Sequence, residues 1–191
     1  SQNFENENVG LTKKICNFLL KKTFKKEKTI IFSSSTQIFK KSSYGISKKK
    51  CEKLLINLKK KNKINVIILR LPNIFGKWCK PNYNSVVSTF CYNISRKKKV
   101  NLFNEHSKIN LLYIDDLIDL LIKYLKIKLK KFKIINKFKF SHNITVKKLY
   151  EKIKQIDEYR DNLFIPNLKN KFSKDIYSTY VSMLPKSKFV Y

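Results

Sequence analysis

Alanine is absent from this 191-residue sequence, and glycine is nearly so, with only Gly10, Gly45 and Gly76. Three isolated glycines cannot build a glycine-rich phosphate-binding turn. No apolar run reaches the roughly eighteen residues that a membrane-spanning helix needs, so no membrane partner is expected. The opening SQNFENENVG has neither a basic flank nor an apolar signal core, so no signal peptide is read. The sequence is expected to be part of a longer chain. The four cysteines, Cys16, Cys51, Cys79 and Cys91, form no C-x-x-C pair, and only His106 and His142 are available to join them. That pattern suggests neither a metal site nor a disulfide framework. Reduced thiols in a cytoplasmic protein are the expectation.

Acidic residues are scarce as well. There are 13 against 43 basic ones, for a formal charge of +30. A charge of that size first suggests nucleic acid. Its source argues otherwise, because only Arg70, Arg96 and Arg160 are arginine and the rest are lysine. A protein that reads phosphates and guanine edges uses the planar fork of arginine. Lysine, isoleucine, asparagine, phenylalanine and tyrosine abound where alanine, glycine and arginine fail, which is the bias of AT-rich codons. The charge is read as solvated lysine faces, with no specific nucleic-acid partner.

What is present reads as alternating strands and helices. Val9 to Lys22 places Leu11, Ile15, Phe18 and Leu19 on one helical face. KTIIFSSS is a short apolar run, read as a strand buried on both sides. YGISKKKCEKLLINLKKK follows as a helix with Cys51, Leu54, Leu55 and Leu58 inward. INVIILRLPNIFG is a second β-branched strand, ended by Pro72 and Gly76. Strands without alternation, separated by helices, indicate a parallel sheet in an α/β fold. In the second half, PNYNSVVSTFCYNISRKKK reads as a helix, VNLF and INLLYI as short strands, and DDLIDLLIKYLKI as a helix with acids in its first turn. FKFSHNIT reads as a strand before a last helix, for which Thr145, Asn143 or Ser141 is the candidate N-cap.

One stretch carries chemistry. In IIFSSSTQIFKKSSYGISKKK, Tyr44 and Lys48 stand four residues apart, one turn along a helix face. An ammonium beside a phenol favours the phenolate, so the tyrosine is expected to titrate below its usual value of about 10. Such a tyrosine exchanges protons with a carbonyl or alcohol oxygen. Ser35, at the end of the preceding strand, is placed to bind the same oxygen. With so many lysines and ten tyrosines, Y-x-x-x-K alone would arise by chance. The order strand, three serines, short loop, Y-G-x-S-K, helix is far more specific.

That segment resembles the active-site segment of the extended short-chain dehydrogenases/reductases, the NAD-dependent epimerase/dehydratase family. NENVGLTKKI resembles the family's N-V-x-G-T helix, LRLPNIFG its R-x-x-N-x-[FY]-G segment, and YIDDLIDLL its hydrophobic-D-D helix start. RLPNIFGKWCKPNYNSVVSTFCYNIS and DIYSTYVSMLP resemble one subfamily in particular, the bifunctional capsular-polysaccharide UDP-sugar reductases. The resemblance implies a catalytic trio of Ser35, Tyr44 and Lys48. Asn8, Ser33, Ser34, Tyr44, Lys48, Leu71, Pro72 and Asn73 are then expected beside a nicotinamide cofactor, NADPH or NAD(P)H. Asn73, Asn82, Tyr83, Asn84, Ser85 and Arg96 are expected to face the UDP-sugar. For Arg96 a purely structural place on its helix is an equal alternative, and Trp78 is either a core anchor or a sugar platform.

The implied fold is the C-terminal part of a Rossmann-like doubly wound parallel sheet plus a small α/β substrate-binding region. Residues 1–80 are expected to form the catalytic half of the cofactor domain, residues 81–160 the substrate region and remaining sheet elements, and residues 161–191 an appendage toward a cupin beyond Tyr191. The implied reaction is NADPH-dependent reduction of a 4-keto UDP-2-acetamido-2,6-dideoxyhexose, by a homodimer at full length. A 4-epimerase or dehydratase of the same family, and a non-catalytic remnant, are the alternatives. Thr36 and Gln37 stand where dehydratases of the family carry an Asp–Glu pair, which disfavours dehydration.

Overall fold

A computed structural model describes residues 2–61, 64–127 and 132–189. The chain forms two compact units, Ser1–Pro72 with Asp119–Phe138, and Asn73–Ile118 with Lys139–Tyr191. This division cuts across the linear partition expected from sequence, because the chain leaves each unit and returns to it.

The first unit begins with a short helix α1 (Gln2–Phe4), a π-helical turn (Glu5–Gly10) and helix α2 (Leu11–Leu20). Strand β1 (Lys28–Ser35) and a 3-10 turn (Thr36–Phe39) lead into helix α3 (Ser43–Lys61) and strand β2 (Ile64–Leu71). Strand β1 pairs parallel to β2 along its whole length, from Lys28 opposite Ile64 to Ser35 opposite Leu71. On the other side of β2 lies a strand not foreseen from sequence, Lys133–Ile135, also parallel. The central strand is buried on both faces, with Val66, Ile67, Ile68 and Leu69 inaccessible to solvent, as its unbroken β-branched run requires. Cys51, Leu55 and Leu58 of α3 are buried, and the latter two join Cys16 of α2 and Ile64, Val66 and Ile68 of β2 in one cluster.

Helix α2 departs from expectation. It turns Thr12 and Cys16 inward and leaves Leu11, Ile15 and Phe18 exposed, at 58, 44 and 60%. Apolar periodicity marks a face that can be covered; it does not say what covers it.

Pro72 ends the first sheet. Its ring removes the backbone donor that would continue the ladder, and the next strand, β3 (Asn73–Phe75), joins a different sheet. In that sheet β3 pairs parallel to β4 (Lys108–Tyr113), and β4 pairs antiparallel to a strand at His142–Thr145. In chain order the strand at Lys133–Ile135 is β5 and the one at His142–Thr145 is β6. Helices α4 (Val86–Ser95), α6 (Val146–Asp161) and α7 (Lys171–Ser182) belong to the second unit, while α5 (Ile114–Lys126) begins in it and ends in the first. Thr145 is the N-cap of α6, its hydroxyl accepting from the Lys148 amide at 3.2 Å. Residues 100–103, expected as a strand, run as an irregular connection into a turn.

The segment after Asp161 is not an appendage. Ile176 and Tyr180 of α7 are fully buried in the core that Leu149 and Ile153 of α6 and Val87 and Cys91 of α4 also build. The Tyr180 hydroxyl donates to buried Asp157 at 2.6 Å, and Lys97 approaches the other Asp157 oxygen at 2.7 Å. Replacing Tyr180 by Phe leaves that carboxylate short of one donor in a dry site. It should cost about 1–3 kcal/mol of stability in denaturant unfolding; an unchanged midpoint would show α7 to be peripheral.

Candidate active site

The three serines at the end of β1 do different jobs. Ser34 donates its hydroxyl to Glu52 at 2.5 Å, inside the protein. The Ser33 carbonyl accepts from Lys48 Nζ at 3.1 Å. Ser35 caps the 3-10 turn, its Oγ accepting from the Gln37 amide at 3.1 Å. Of the three, Ser35 is the one whose side chain acts on the proton affinity of the tyrosine.

Helix α3 brings Tyr44 to this strand end. The Gly45 amide donates to Ser42 Oγ at 3.1 Å, fixing the first turn. A Cβ on Gly45 would stand 2.2 Å from the Gln37 carbonyl oxygen. Only a residue without a side chain lets the helix start lie this close to the turn. The Tyr44 ring packs edge-on to Phe4, centroids 5.5 Å apart. Lys48 Nζ lies 5.8 Å from the Tyr44 ring centroid and 5.0 Å from that of Phe32.

The electrostatics correct one expectation. Burial pushes the Tyr44 phenol above its ordinary value, with the Ser35 side chain pulling the other way. Burial also pulls Lys48 below its ordinary value, opposed by nearby Cys51. The ammonium donates to the Ser33 carbonyl rather than to the phenol oxygen, so it does not drag the tyrosine down.

The other sequence-derived residues divide between the two units. In the first, the Asn8 amide donates to Ser47 Oγ at 3.1 Å, and Ser47 donates to the Tyr44 carbonyl at 2.8 Å, next to Lys48 on the helix. Leu71 lies opposite Ser35 in the sheet, followed by Pro72. In the second, Asn73 donates to the Asn110 carbonyl at 3.2 Å. Asn82 has φ 54°, and its amide donates to Thr89 Oγ1 at 2.9 Å. Tyr83 and Asn84 are exposed, and Ser85 is the N-cap of α4. Arg96 donates to the Met183 carbonyl at 2.6 Å and stacks on Tyr92 at 3.8 Å, a structural tie between α4 and the end of α7. Trp78 is 80% exposed and so is no core anchor.

Sequence reasoning missed Glu52 and Arg70, which form a buried ion pair at 2.8 Å. A signal existed: an arginine inside an otherwise apolar buried strand demands a carboxylate. It also missed a cleft of about 360 Å³ in the second unit, lined among others by Thr89, Asn93, Lys99, Asn101 and Phe103.

Residues 1–136 match the NAD dependent epimerase/dehydratase family. The chain belongs to that family. It is similar to the UDP-2-acetamido-2,6-beta-L-arabino-hexul-4-ose reductase of Pseudomonas aeruginosa, 33% identical over 162 residues, covering 85% of this chain and 43% of the relative. Among solved structures it is similar to the capsular polysaccharide assembling protein CapF of Staphylococcus aureus, with TM-score 0.81 and 33% identity over 94% of this chain and 48% of that one. A UDP-N-acetylglucosamine 4-epimerase from Methanobrevibacter ruminantium shares the fold, with TM-score 0.75 at 16% identity over 92% of this chain and 68% of that one. The chain thus spans about half the length of the first two.

Within this family member, the fit of Gly45 against Gln37 is the steric condition for the site. Gly45→Ala should cost about 1–3 kcal/mol as the turn is forced away. It should also move the Tyr44 titration, read by NMR on isotope-labelled tyrosine. Wild-type stability and titration in that variant would refute the close approach.

Proposed function

We propose that this chain carries the acid–base half of a nicotinamide-dependent nucleotide-sugar reductase. The proposed substrate is a 4-keto UDP-2-acetamido-2,6-dideoxyhexose, with NADPH as the cofactor and a place in surface-polysaccharide precursor synthesis in the cytoplasm. The observation that carries the reading is the Tyr44 side chain near Ser35, with Lys48 one turn along, at the carboxyl end of a parallel strand. Ligands of open α/β sheets bind outside the carboxyl ends of their strands.

The donor set fits one end of a dinucleotide. Lys48 and Tyr44 suit the nicotinamide ribose, with Asn8, Ser33, Ser34, Leu71, Pro72 and Asn73 as further contacts. No glycine-rich turn for the pyrophosphate exists in the sequence. When bound, the cofactor supplies hydride to C4. Ser35 then hydrogen-bonds the C4 oxygen, and Tyr44 gives it a proton as negative charge develops there. A phenol held above its ordinary pKa stays protonated at neutral pH, the form that a proton donor needs.

The cleft in the second unit supports the nucleotide part. Asn93 and Asn101 offer paired donors and acceptors to a base edge, and Lys99 offers a cation to phosphate. Asn73, Asn82, Tyr83, Asn84, Ser85 and Arg96 complete the proposed substrate contacts. Thr36 and Gln37 sit in the 3-10 turn beside Ser35 and carry no acid for dehydration.

A second copy of the full-length enzyme is the proposed partner, and exposed Leu11, Ile15 and Phe18 on α2 are the surface that supports it. Ile15→Glu should shift sedimentation from dimer toward monomer; a wild-type monomer would refute the proposal.

The acid–base reading is tested in an enzyme of the relatives' full length, following NADPH oxidation with a 4-keto UDP-sugar. Tyr44→Phe should lose about 10²–10⁴-fold in rate while keeping the fold. Lys48→Met should also abolish turnover near neutral pH, and Ser35→Ala should be milder because the proton donor stays in place. Tyr150→Phe should barely alter the rate. Wild-type turnover in Tyr44→Phe would mean that the stretch is only a surface turn.

A further inference from the structure

Glu52 lies one turn beyond Lys48 on α3 and is 3% exposed. Its carboxylate accepts from side chains of two adjacent strands. Ser34 Oγ donates at 2.5 Å, Arg70 Nε at 3.1 and 3.3 Å, and Arg70 Nη2 at 2.8 Å. Ser34 and Arg70 are register partners, one residue before the ends of β1 and β2. The Phe39 ring, from the turn that follows β1, lies 5.4 Å from the guanidinium carbon. One carboxylate thus joins the helix that carries Tyr44 and Lys48 to both strand ends.

Apolar contact is not directional. A helix held to a sheet only by Cys51, Leu55 and Leu58 is free to rotate or slide slightly. A carboxylate forked onto an arginine and a serine of neighbouring strands fixes both rotation and translation. Stability does not by itself account for the pair, because desolvation offsets much of its attraction. Burial, Ser35 and Cys51 are what shift the Tyr44 and Lys48 proton affinities, so the influence of Glu52 on the site is geometric. Catalytic groups need placement to within about half an ångström, which gives such a clamp its use.

We propose that the Ser34–Glu52–Arg70 cluster is a positioning clamp in which Glu52 sets the depth and rotation at which α3 presents Tyr44 to Ser35. The proposal rests on the acid–base reading of Tyr44, but it is tested apart from turnover. The double variant Glu52→Leu/Arg70→Met replaces the ion pair by apolar side chains of similar volume, an exchange that often leaves stability unchanged or higher. Glu52→Ala strands the Arg70 charge and is expected to unfold the chain, so it is not the test. The readouts are the thermal midpoint of the 191-residue chain and the Tyr44 titration, followed by NMR on isotope-labelled tyrosine.

The double variant should melt close to wild type while Tyr44 titrates at higher pH. Burial persists there, whereas the opposing influence of Ser35 is weakened as the helix shifts. Ser35→Ala should shift the titration in the same direction and sets its full extent. A folded double variant with the wild-type Tyr44 titration overturns the clamp. Should the double variant fail to fold, Ser34→Ala removes one arm and leaves the ion pair. A smaller upward shift then supports the clamp, and no shift overturns it. Turnover after Tyr44→Phe decides the acid–base reading separately, because the titration reports where Tyr44 sits whether or not it transfers a proton.

Discussion

At Gly45 a hydrogen occupies the place where any other residue would put a Cβ 2.2 Å from the Gln37 carbonyl oxygen. This close approach decides where Tyr44 stands. With it, the first turn of α3 sits against the turn that leaves β1, and Ser35 acts on Tyr44. Without it, the helix start would have to lift away and the pair would separate. The other contacts of the site follow from the same placement: Lys48 on the Ser33 carbonyl, Asn8 on Ser47, and Glu52 between Ser34 and Arg70.

The direction of the Tyr44 shift bears on what the site does. A lysine in the first turn of a helix with an exposed tyrosine would favour tyrosinate. Here burial outweighs the opposing influence of Ser35, and the Lys48 ammonium spends its hydrogen bond on a carbonyl. A protonated phenol suits an acid, and reduction of a carbonyl calls for an acid. Oxidation of an alcohol calls for the base. Family membership leaves both directions open.

A few of the acidic residues tie the fold together. Asp157 takes Tyr180 and Lys97, Asp161 takes Lys97 and Lys188, and Glu52 takes Arg70. A chain with only 13 carboxylates cannot pair most of its 43 cations, and many of the described lysines stand in water, where lone charges cost little.

The sequence by itself determined the alternation of strands and helices, the buried β2 and the shared helix face of Tyr44 and Lys48. Each depends on local periodicity, on turn chemistry or on residue types at short spacing. A β-branched run such as INVIILRL has one use in a parallel sheet, and Tyr44 and Lys48 share a helix face by spacing alone. Only the tertiary structure decided which serine acts on the tyrosine, because three adjacent hydroxyls differ in partner and not in sequence. It also decided that α2 turns Cys16 inward rather than Phe18, that Pro72 moves the chain to a second sheet, and that residues after Asp161 complete a core. The Ser34–Glu52–Arg70 cluster and the raised proton affinity of Tyr44 belong with these. All of them depend on contacts between residues distant in the chain and on the exclusion of water, neither of which has a local signature.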